Sequence, residues 1–74
     1  MKSFNIKLGT VEEIKEFVNE IGKIEGDFDL ISGRYTIDAK SIVGILSLDL
    51  GNILQLKVNA KTGTDLTGIA KYCV

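Results

Sequence analysis

The chain has 74 residues, enough for one domain, and at this length roughly 60% of the unfolded surface can be buried. Hydrophobic residues make up 45% and charged residues 26% of the chain, which is typical of a folded protein and excludes a disordered or fibrous one. Nine basic against ten acidic residues give a net charge of -1, and the lysines are scattered, so we expect no nucleic-acid binding.

No segment approaches the run of about 20 apolar residues that spans a bilayer, and the first residues lack the apolar stretch of a signal peptide. We therefore expect a cytoplasmic protein with no membrane partner. The single cysteine, Cys73, can form neither an internal disulfide nor a structural zinc site by itself, and we expect it to be an apolar residue of a terminal helix. With no histidine in the chain, we expect no metal, no cofactor and no enzyme activity.

A strand is predicted near the start of the chain, where Phe4, Ile6 and Leu8 alternate with polar residues. Residues 10–13 then match a capping box, in which the Thr10 hydroxyl accepts from a first-turn amide and Glu13 reaches back to the Thr10 amide. Apolar residues at helical spacing predict a helix over 11–21, with these side chains inward: Val11, Ile14, Phe17, Val18 and Ile21. Gly22 is expected to end this helix as a left-handed C-cap.

A tight hairpin is predicted next. Phe28 and Leu30 alternate with acidic residues, and after a turn at 32–33 the alternation continues with Tyr35 and Ile37. The acidic residues of this region are expected to be solvated, with at most a weak attraction for a cation: Asp27, Asp29 and Asp38.

The segment 41–50 is apolar on more than one side, so periodicity alone does not separate a short helix from a buried strand. Ser41 as an N-cap favours a helix. A turn at 51–52 leads to a last strand, in which Leu54, Leu56 and Val58 alternate with polar residues. Behind capping residues at 64–65, a final helix is predicted to turn four side chains inward: Leu66, Ile69, Ala70 and Cys73.

The predicted order is β-α-β-β-α-β-α over residues 1–74, an α+β domain. One antiparallel sheet with helices on one face is the simplest arrangement that buries every apolar stripe. A ferredoxin-like domain, binding a small ligand, shares most of this order. That alternative would gain support if the first and last strands were not neighbours in the sheet.

Residues 38–48 resemble the regulatory-serine segment of the HPr family, the histidine-containing phosphocarrier protein of the bacterial sugar phosphotransferase system. That segment commonly reads Lys-Ser-Ile-Met-Gly-Val-Met-Ser-Leu. The resemblance implies an open-faced β-sandwich, a four-stranded antiparallel sheet with three helices on one face. Six residues stand at the family's spacing: Lys40, Ser41, Ile42, Gly44, Ser47 and Leu48.

The phosphocarrier motif of the family, Gly-x-His-Ala-Arg-Pro at the start of the first helix, is replaced here. Aligning the first helix puts Thr10 in the place of the histidine and Glu12 in that of the arginine. A phosphohistidine relay needs an imidazole nitrogen to carry the phosphoryl group and cationic or amide donors to hold its oxygens. The resemblance therefore implies a member without carrier activity, in which Thr10 is a plain N-cap.

Ser41 matches the serine that an ATP-dependent HPr kinase modifies in the family, a modification that changes docking to partners. It is therefore a candidate phosphorylation site by resemblance, and the same residue also fits a plain N-cap. The partners implied are proteins, an HPr kinase-like enzyme or a transcriptional regulator.

The helix that follows Ser41 has more apolar side chains than one small helix can bury. We expect Ile42, Ile45 and Leu48 to join the core, and we predict an exposed partner-binding patch at Val43, Leu46 and Leu50. The leading hypothesis is a regulatory, partner-binding HPr-like domain. The alternative is a degenerate paralogue that keeps only the fold and associates with itself through this patch, so a monomer or a weak homodimer is expected.

Overall fold

The structure is a computed structural model, and it describes residues 2–48 and 51–74. The elements follow the predicted order, with a 3₁₀ helix in the last place. They are β1 (Lys2–Lys7), α1 (Val11–Gly22), β2 (Asp27–Ser32), β3 (Tyr35–Asp38), α2 (Ile42–Leu46), β4 (Ile53–Asn59) and the 3₁₀ helix (Thr67–Tyr72).

The four strands form one antiparallel sheet in the order β1-β4-β2-β3. In register, Leu56 of β4 lies between Phe4 of β1 and Leu30 of β2. The first and last strands are thus neighbours, so the condition that would have favoured a ferredoxin-like domain is not met.

The core lies on one face of this sheet. Alternate strand residues are buried there, and the residues between them face solvent on the open side. All the helices pack on the buried face, and the core they share with the strands is apolar: Ile6, Leu8, Ile14, Phe17, Ile21, Phe28, Leu30, Ala39, Ile45, Leu54, Leu56, Val58, Ile69 and Tyr72. Each fully buried large side chain contributes about 1.5 to 3 kcal/mol of transfer free energy, so this stripe is the main source of stability.

Helix α1 begins at a side-chain cap, as predicted. The Thr10 hydroxyl oxygen accepts from the Glu13 amide at 3.1 Å. Glu13, however, reaches the Gly9 amide at 3.3 Å and not the Thr10 amide that the capping box predicted. The backbone amide that Glu13 accepts from is therefore one residue earlier than a capping box predicts.

The prediction that Gly22 forms a left-handed C-cap of α1 is wrong. Gly22 remains inside the helix, and Lys23 leaves it with right-handed backbone angles, so no left-handed C-cap forms there. The positive φ occurs four residues later, at Gly26 (φ 139°). A Cβ at Gly26 would lie 2.9 Å from the Asn59 carbonyl oxygen, so this glycine allows the chain to pass closely beside the end of β4.

The final helix differs from its prediction. It is a 3₁₀ helix, which has about three residues per turn, so Leu66, Ile69 and Tyr72 lie on one face. Ala70 and Cys73, expected to point inward on an α-helix, are exposed. The α-helical period therefore does not describe this segment, and Tyr72 takes the buried position that was predicted for Ala70 and Cys73.

The hairpin between β2 and β3 is tight, as predicted, but its two turn residues are Gly33 and Arg34, one position later than the predicted turn at 32–33. Ser32 pairs with Tyr35, and Gly33 adopts a φ of 59°, a left-handed value that glycine takes without strain. Although Tyr35 keeps the predicted alternation, 70% of it is exposed, because β3 is the edge strand of the sheet. Within residues 2–48 and 51–74, no helix is long and apolar enough to cross a membrane.

Candidate functional site

Ser41 is the N-cap of α2. Its hydroxyl oxygen accepts from the Gly44 amide at 3.3 Å, and its own amide donates to the Asp38 carbonyl at 3.0 Å. The residue is half-buried. The sequence-based prediction of a helix starting after Ser41 is confirmed, and Ser41 joins the end of β3 to the start of α2.

Gly44 determines how α2 sits on the sheet. A Cβ at this position would lie 2.6 Å from Cγ2 of Ile37, well inside van der Waals contact. Helix α2 can therefore lie directly against β3 only with glycine here. This close approach turns Ile45 into the core, where it is fully buried.

The close packing of α2 leaves two apolar side chains on its outer side. Val43 is 77% exposed and Leu46 is 46% exposed, as the predicted partner-binding patch requires. Ile42 and Leu48 are half-buried and pack against the core, in agreement with their expected role. Leu50, the third residue predicted for the patch, lies outside the described residues.

Lys40 precedes Ser41 and is half-buried. Its ammonium group donates to the carbonyls of Ile24 at 3.0 Å and Gly26 at 3.1 Å, and it lies 5.4 Å from the ring centroid of Phe28. It therefore fastens the start of α2 to the loop between α1 and β2. No signal in the sequence predicted this role, because the carbonyls are 14 and 16 residues away.

The start of α1 lies close to the turn that follows α2. The Gly51 amide donates to the Leu8 carbonyl at 2.9 Å, two residues before Thr10, and the two helices pack against each other. Thr10 is occupied by its cap contacts, and Glu12 is exposed beside it. Val11, which was expected in the core, is 41% exposed because it begins the helix at its outer end.

The acidic residues of the hairpin lie on the open face. Asp29 is directly opposite both Asp38 of β3 and Lys57 of β4. Asp27 is opposite Asn59. Among the described residues no three His, Cys, Asp or Glu side chains form a group that could hold a metal ion.

Glu16 of α1 is hydrogen-bonded to two residues at the end of the 3₁₀ helix. The Glu16 carboxylate accepts from Lys71 Nζ and from the Tyr72 hydroxyl, both at 3.2 Å, and the Tyr72 ring meets Phe17 edge-on at 5.5 Å between centroids. The bonds from Lys71 and then Tyr72 lower the pKa of Glu16 below its ordinary value of 4.5. Burial, followed by the bond to Glu16, raises the pKa of Tyr72. No pattern in the sequence indicated this cluster, which joins α1 to the 3₁₀ helix.

Comparison with known proteins gives one kind of match. No family model matches the chain, and no curated protein matches it. A crystal structure of the HPr protein HPr-C-His from Thermoanaerobacter tengcongensis superposes with a TM-score of 0.72 at 26% sequence identity, over 82% of this chain and 76% of that chain. Together with the sheet order and the three helices on one face, this likeness shows that the chain has the HPr-like fold, an open-faced β-sandwich of the α+β class.

Proposed function

We propose that this protein is a regulatory, partner-binding HPr-like domain that does not carry phosphohistidine and has no enzyme activity. It acts through Ser41 and the outer side of α2. The observation that carries the proposal is the placement of a half-buried N-cap serine beside two exposed apolar side chains, Val43 and Leu46, on an HPr-like fold. A single modification there alters the surface that a partner would contact.

The start of α1 supports the first half of the proposal. The chain contains no histidine, and Thr10, which stands in its place by resemblance, uses its hydroxyl as a helix cap. Glu12 replaces the arginine and is exposed, so it would repel an incoming phosphoryl group. A threonine ester is also a poor reversible carrier.

Ser41 supports the second half. Phosphorylation would add about 1.5 to 2 negative charges at pH 7 next to Val43. The Lys40 ammonium already donates to two backbone carbonyls, so two of its three N–H donors are engaged away from the phosphate. The new charge would stay available to an arginine or lysine of a partner. By resemblance, that partner is an HPr kinase-like enzyme or a transcriptional regulator, and the site of action is cytoplasmic.

The experiment that tests this proposal is phosphorylation by an HPr kinase with ATP, followed by intact-mass and fragment mass spectrometry. We expect one phosphoryl group, on Ser41, and none on the Ser41→Ala variant. The Ser47→Ala variant is the matched control, because Ser47 is an exposed serine at the other end of the same helix and should leave the modification unchanged. An unmodified protein, under conditions that modify a true HPr, would contradict the regulatory role and leave the degenerate paralogue as the better account.

A further inference from the structure

Hydrogen bonds fix the turn that leads from β3 to Ser41. The Ala39 amide donates to the Phe28 carbonyl at 2.8 Å, and Ala39 is fully buried. The Lys40 amide donates to a carboxylate oxygen of Asp38 at 2.9 Å. The Ser41 amide donates to the carbonyl of the same aspartate at 3.0 Å. The path of the backbone from the sheet to Ser41 is therefore set residue by residue.

The Lys40 side chain ties this turn to the loop between α1 and β2. Its ammonium group donates to the carbonyls of Ile24 and Gly26 and lies over the ring of Phe28. That loop is itself held, because Gly26 lies close against the end of β4 and the Ile24 amide donates to the Ile21 carbonyl at 2.9 Å. Lys40 thus connects the start of α2 to a fixed part of the molecule.

Helix α2 depends on contacts of this kind. Its five residues are too few to form a stable helix alone, so its order comes from the rest of the fold. Gly44 and Ile45 hold the helix against β3 and the core. The turn before Ser41, with its lysine anchor, holds the N-terminal end. Loss of the anchor should therefore lower the ordered fraction of the first turn.

The Ser41 hydroxyl differs from that of Ser47 at the other end of the helix. Ser47 donates its hydroxyl proton to the Gly44 carbonyl. Within residues 2–48 and 51–74, the Ser41 hydroxyl accepts from the Gly44 amide and donates no hydrogen bond. Phosphoryl transfer to a serine requires a base to take the hydroxyl proton. The turn therefore presents a serine whose proton is not already held by a neighbour in this part of the chain.

We propose that Lys40 is the positioning residue for phosphoryl transfer to Ser41, an inference that rests on the function proposed above. Its ammonium group holds the turn so that the Ser41 hydroxyl and the exposed Val43 side chain meet the kinase together. In the transfer, Ser41 Oγ forms a bond to the γ-phosphorus of ATP, and the bond from that phosphorus to the bridging oxygen breaks. ADP leaves with the electron pair, and the hydroxyl proton passes to a base of the kinase. Lys40 acts through the turn and does not touch the phosphoryl group.

Three variants separate the charge of Lys40 from its bulk. Lys40→Met removes the ammonium group and keeps an apolar chain beside Phe28, so the Ile24 and Gly26 carbonyls lose their donor. Lys40→Arg keeps a cationic donor and is the conservative variant that should rescue the anchor. Lys15→Met is the matched control for loss of one lysine charge, because Lys15 is an exposed residue of α1.

Amide hydrogen exchange followed by NMR tests the anchor without a kinase. The Gly44 amide donates to the Ser41 hydroxyl and therefore reports the first turn of α2. In Lys40→Met it should exchange roughly tenfold faster than in the wild type, and in Lys40→Arg at the wild-type rate.

Ile69→Val is the control for a general loss of stability, because Ile69 is buried in the 3₁₀ helix and its contacts persist when α2 opens alone. This variant should leave the Gly44 rate unchanged. Unchanged exchange at Gly44 in Lys40→Met would overturn the proposal. So would equal acceleration in Ile69→Val, since α2 would then open only with the whole protein.

The second arm measures the initial rate of Ser41 phosphorylation by an HPr kinase with ATP as the protein concentration is varied. The kinase must order the loosened turn when it binds, so Lys40→Met should raise KM roughly threefold or more and leave kcat unchanged. Lys40→Arg should restore KM, and Lys15→Met should match the wild type. A fall in kcat with Gly44 exchange unchanged would overturn the proposal, because Lys40 would then act on the phosphoryl group or the kinase directly.

The two arms separate failure of this inference from failure of the proposed function. A wild-type protein that is not phosphorylated would contradict the proposed function, and the role of Lys40 in that reaction would fall with it. A wild-type protein that is phosphorylated, with the same KM in Lys40→Met, would overturn the role of Lys40 alone.

Discussion

Gly44 shows how one residue fixes the geometry of the candidate site. We predict that Gly44→Ala destabilises the protein by about 1 to 3 kcal/mol, because the new methyl group would lie 2.6 Å from Ile37 and would force α2 off β3. Urea unfolding followed by circular dichroism measures this change. The substitution should also move the amide resonances of Ser41, which caps the same turn.

Gly22→Ala is the matched control for that substitution. No atom lies within 4 Å of a Cβ at Gly22, and the residue is in the last turn of α1 with a negative φ. We expect the stability to stay the same or to rise by as much as about 1 kcal/mol, because alanine favours the helix. Equal losses at both glycines would contradict the close packing of α2 on β3.

Thr10 is the second residue with a defined structural duty. Thr10→Ala should cost about 1 kcal/mol of unfolding free energy, because the Glu13 amide loses its acceptor, and Thr10→Ser should restore most of it. Thermal and urea unfolding of the two variants measure this. If Thr10→Ala were as stable as the wild type, the plain N-cap reading of Thr10 would be wrong.

At the scale of elements, the contact between α1 and the 3₁₀ helix gives the protein a pH dependence. The pKa of Glu16 is lowered, so the folded state binds the proton more weakly than the unfolded chain does. The stabilisation is fully present above the ordinary value of 4.5 and is lost as pH falls through the lowered pKa. We predict that the free energy of unfolding of the wild type falls between about pH 5 and pH 3 more steeply than that of Glu16→Gln.

Urea unfolding at a series of pH values measures this difference. Glu25→Gln is a suitable control, since Glu25 is an exposed carboxylate outside this cluster. The control should keep the wild-type pH profile. If Glu16→Gln also kept that profile, the bonds from Lys71 and Tyr72 would not stabilise the carboxylate in solution.

The elements differ in how far the sequence predicts them. Helix α1 is predicted to within one residue, because a side-chain cap and a regular apolar stripe act together over its length. Helix α2 is predicted only through Ser41, since five helical residues are too few for a clear period. The last helix is predicted with the wrong period. Its Tyr72 is fixed by Phe17 and Glu16, 55 and 56 residues away, and such a contact leaves no local signal.

The sequence predicts the exposed residues of the candidate site but not the tertiary contacts that position them. Exposure of Val43 and Leu46 follows from burying Ile45 on a helix, so periodicity is enough once Ser41 marks the start. The contact of Gly44 with Ile37 and the distant carbonyls that Lys40 binds depend on the tertiary fold. The sequence shows that glycine and lysine stand there and gives no reason for them.

At the scale of the whole molecule, the chain has the HPr-like fold but lacks the histidine on which the carrier function of that family depends. The sheet order and the likeness to HPr-C-His show the HPr-like fold, whereas the phosphocarrier chemistry of that family depends on a histidine that this chain does not contain. In our account, the start of α1 keeps only its capping role. The proposed regulatory surface at Ser41 is then the part of the fold that we expect to respond to a phosphoryl donor.

The measurement that tests this account most directly compares two phosphoryl donors in one mass-spectrometric experiment. One arm uses a phosphotransferase system that phosphorylates a histidine-containing HPr, and the other uses an HPr kinase with ATP. We predict no phosphoryl group in the first arm and one, on Ser41, in the second. A phosphorylated Thr10 in the first arm, or an unmodified Ser41 in the second, would contradict the account.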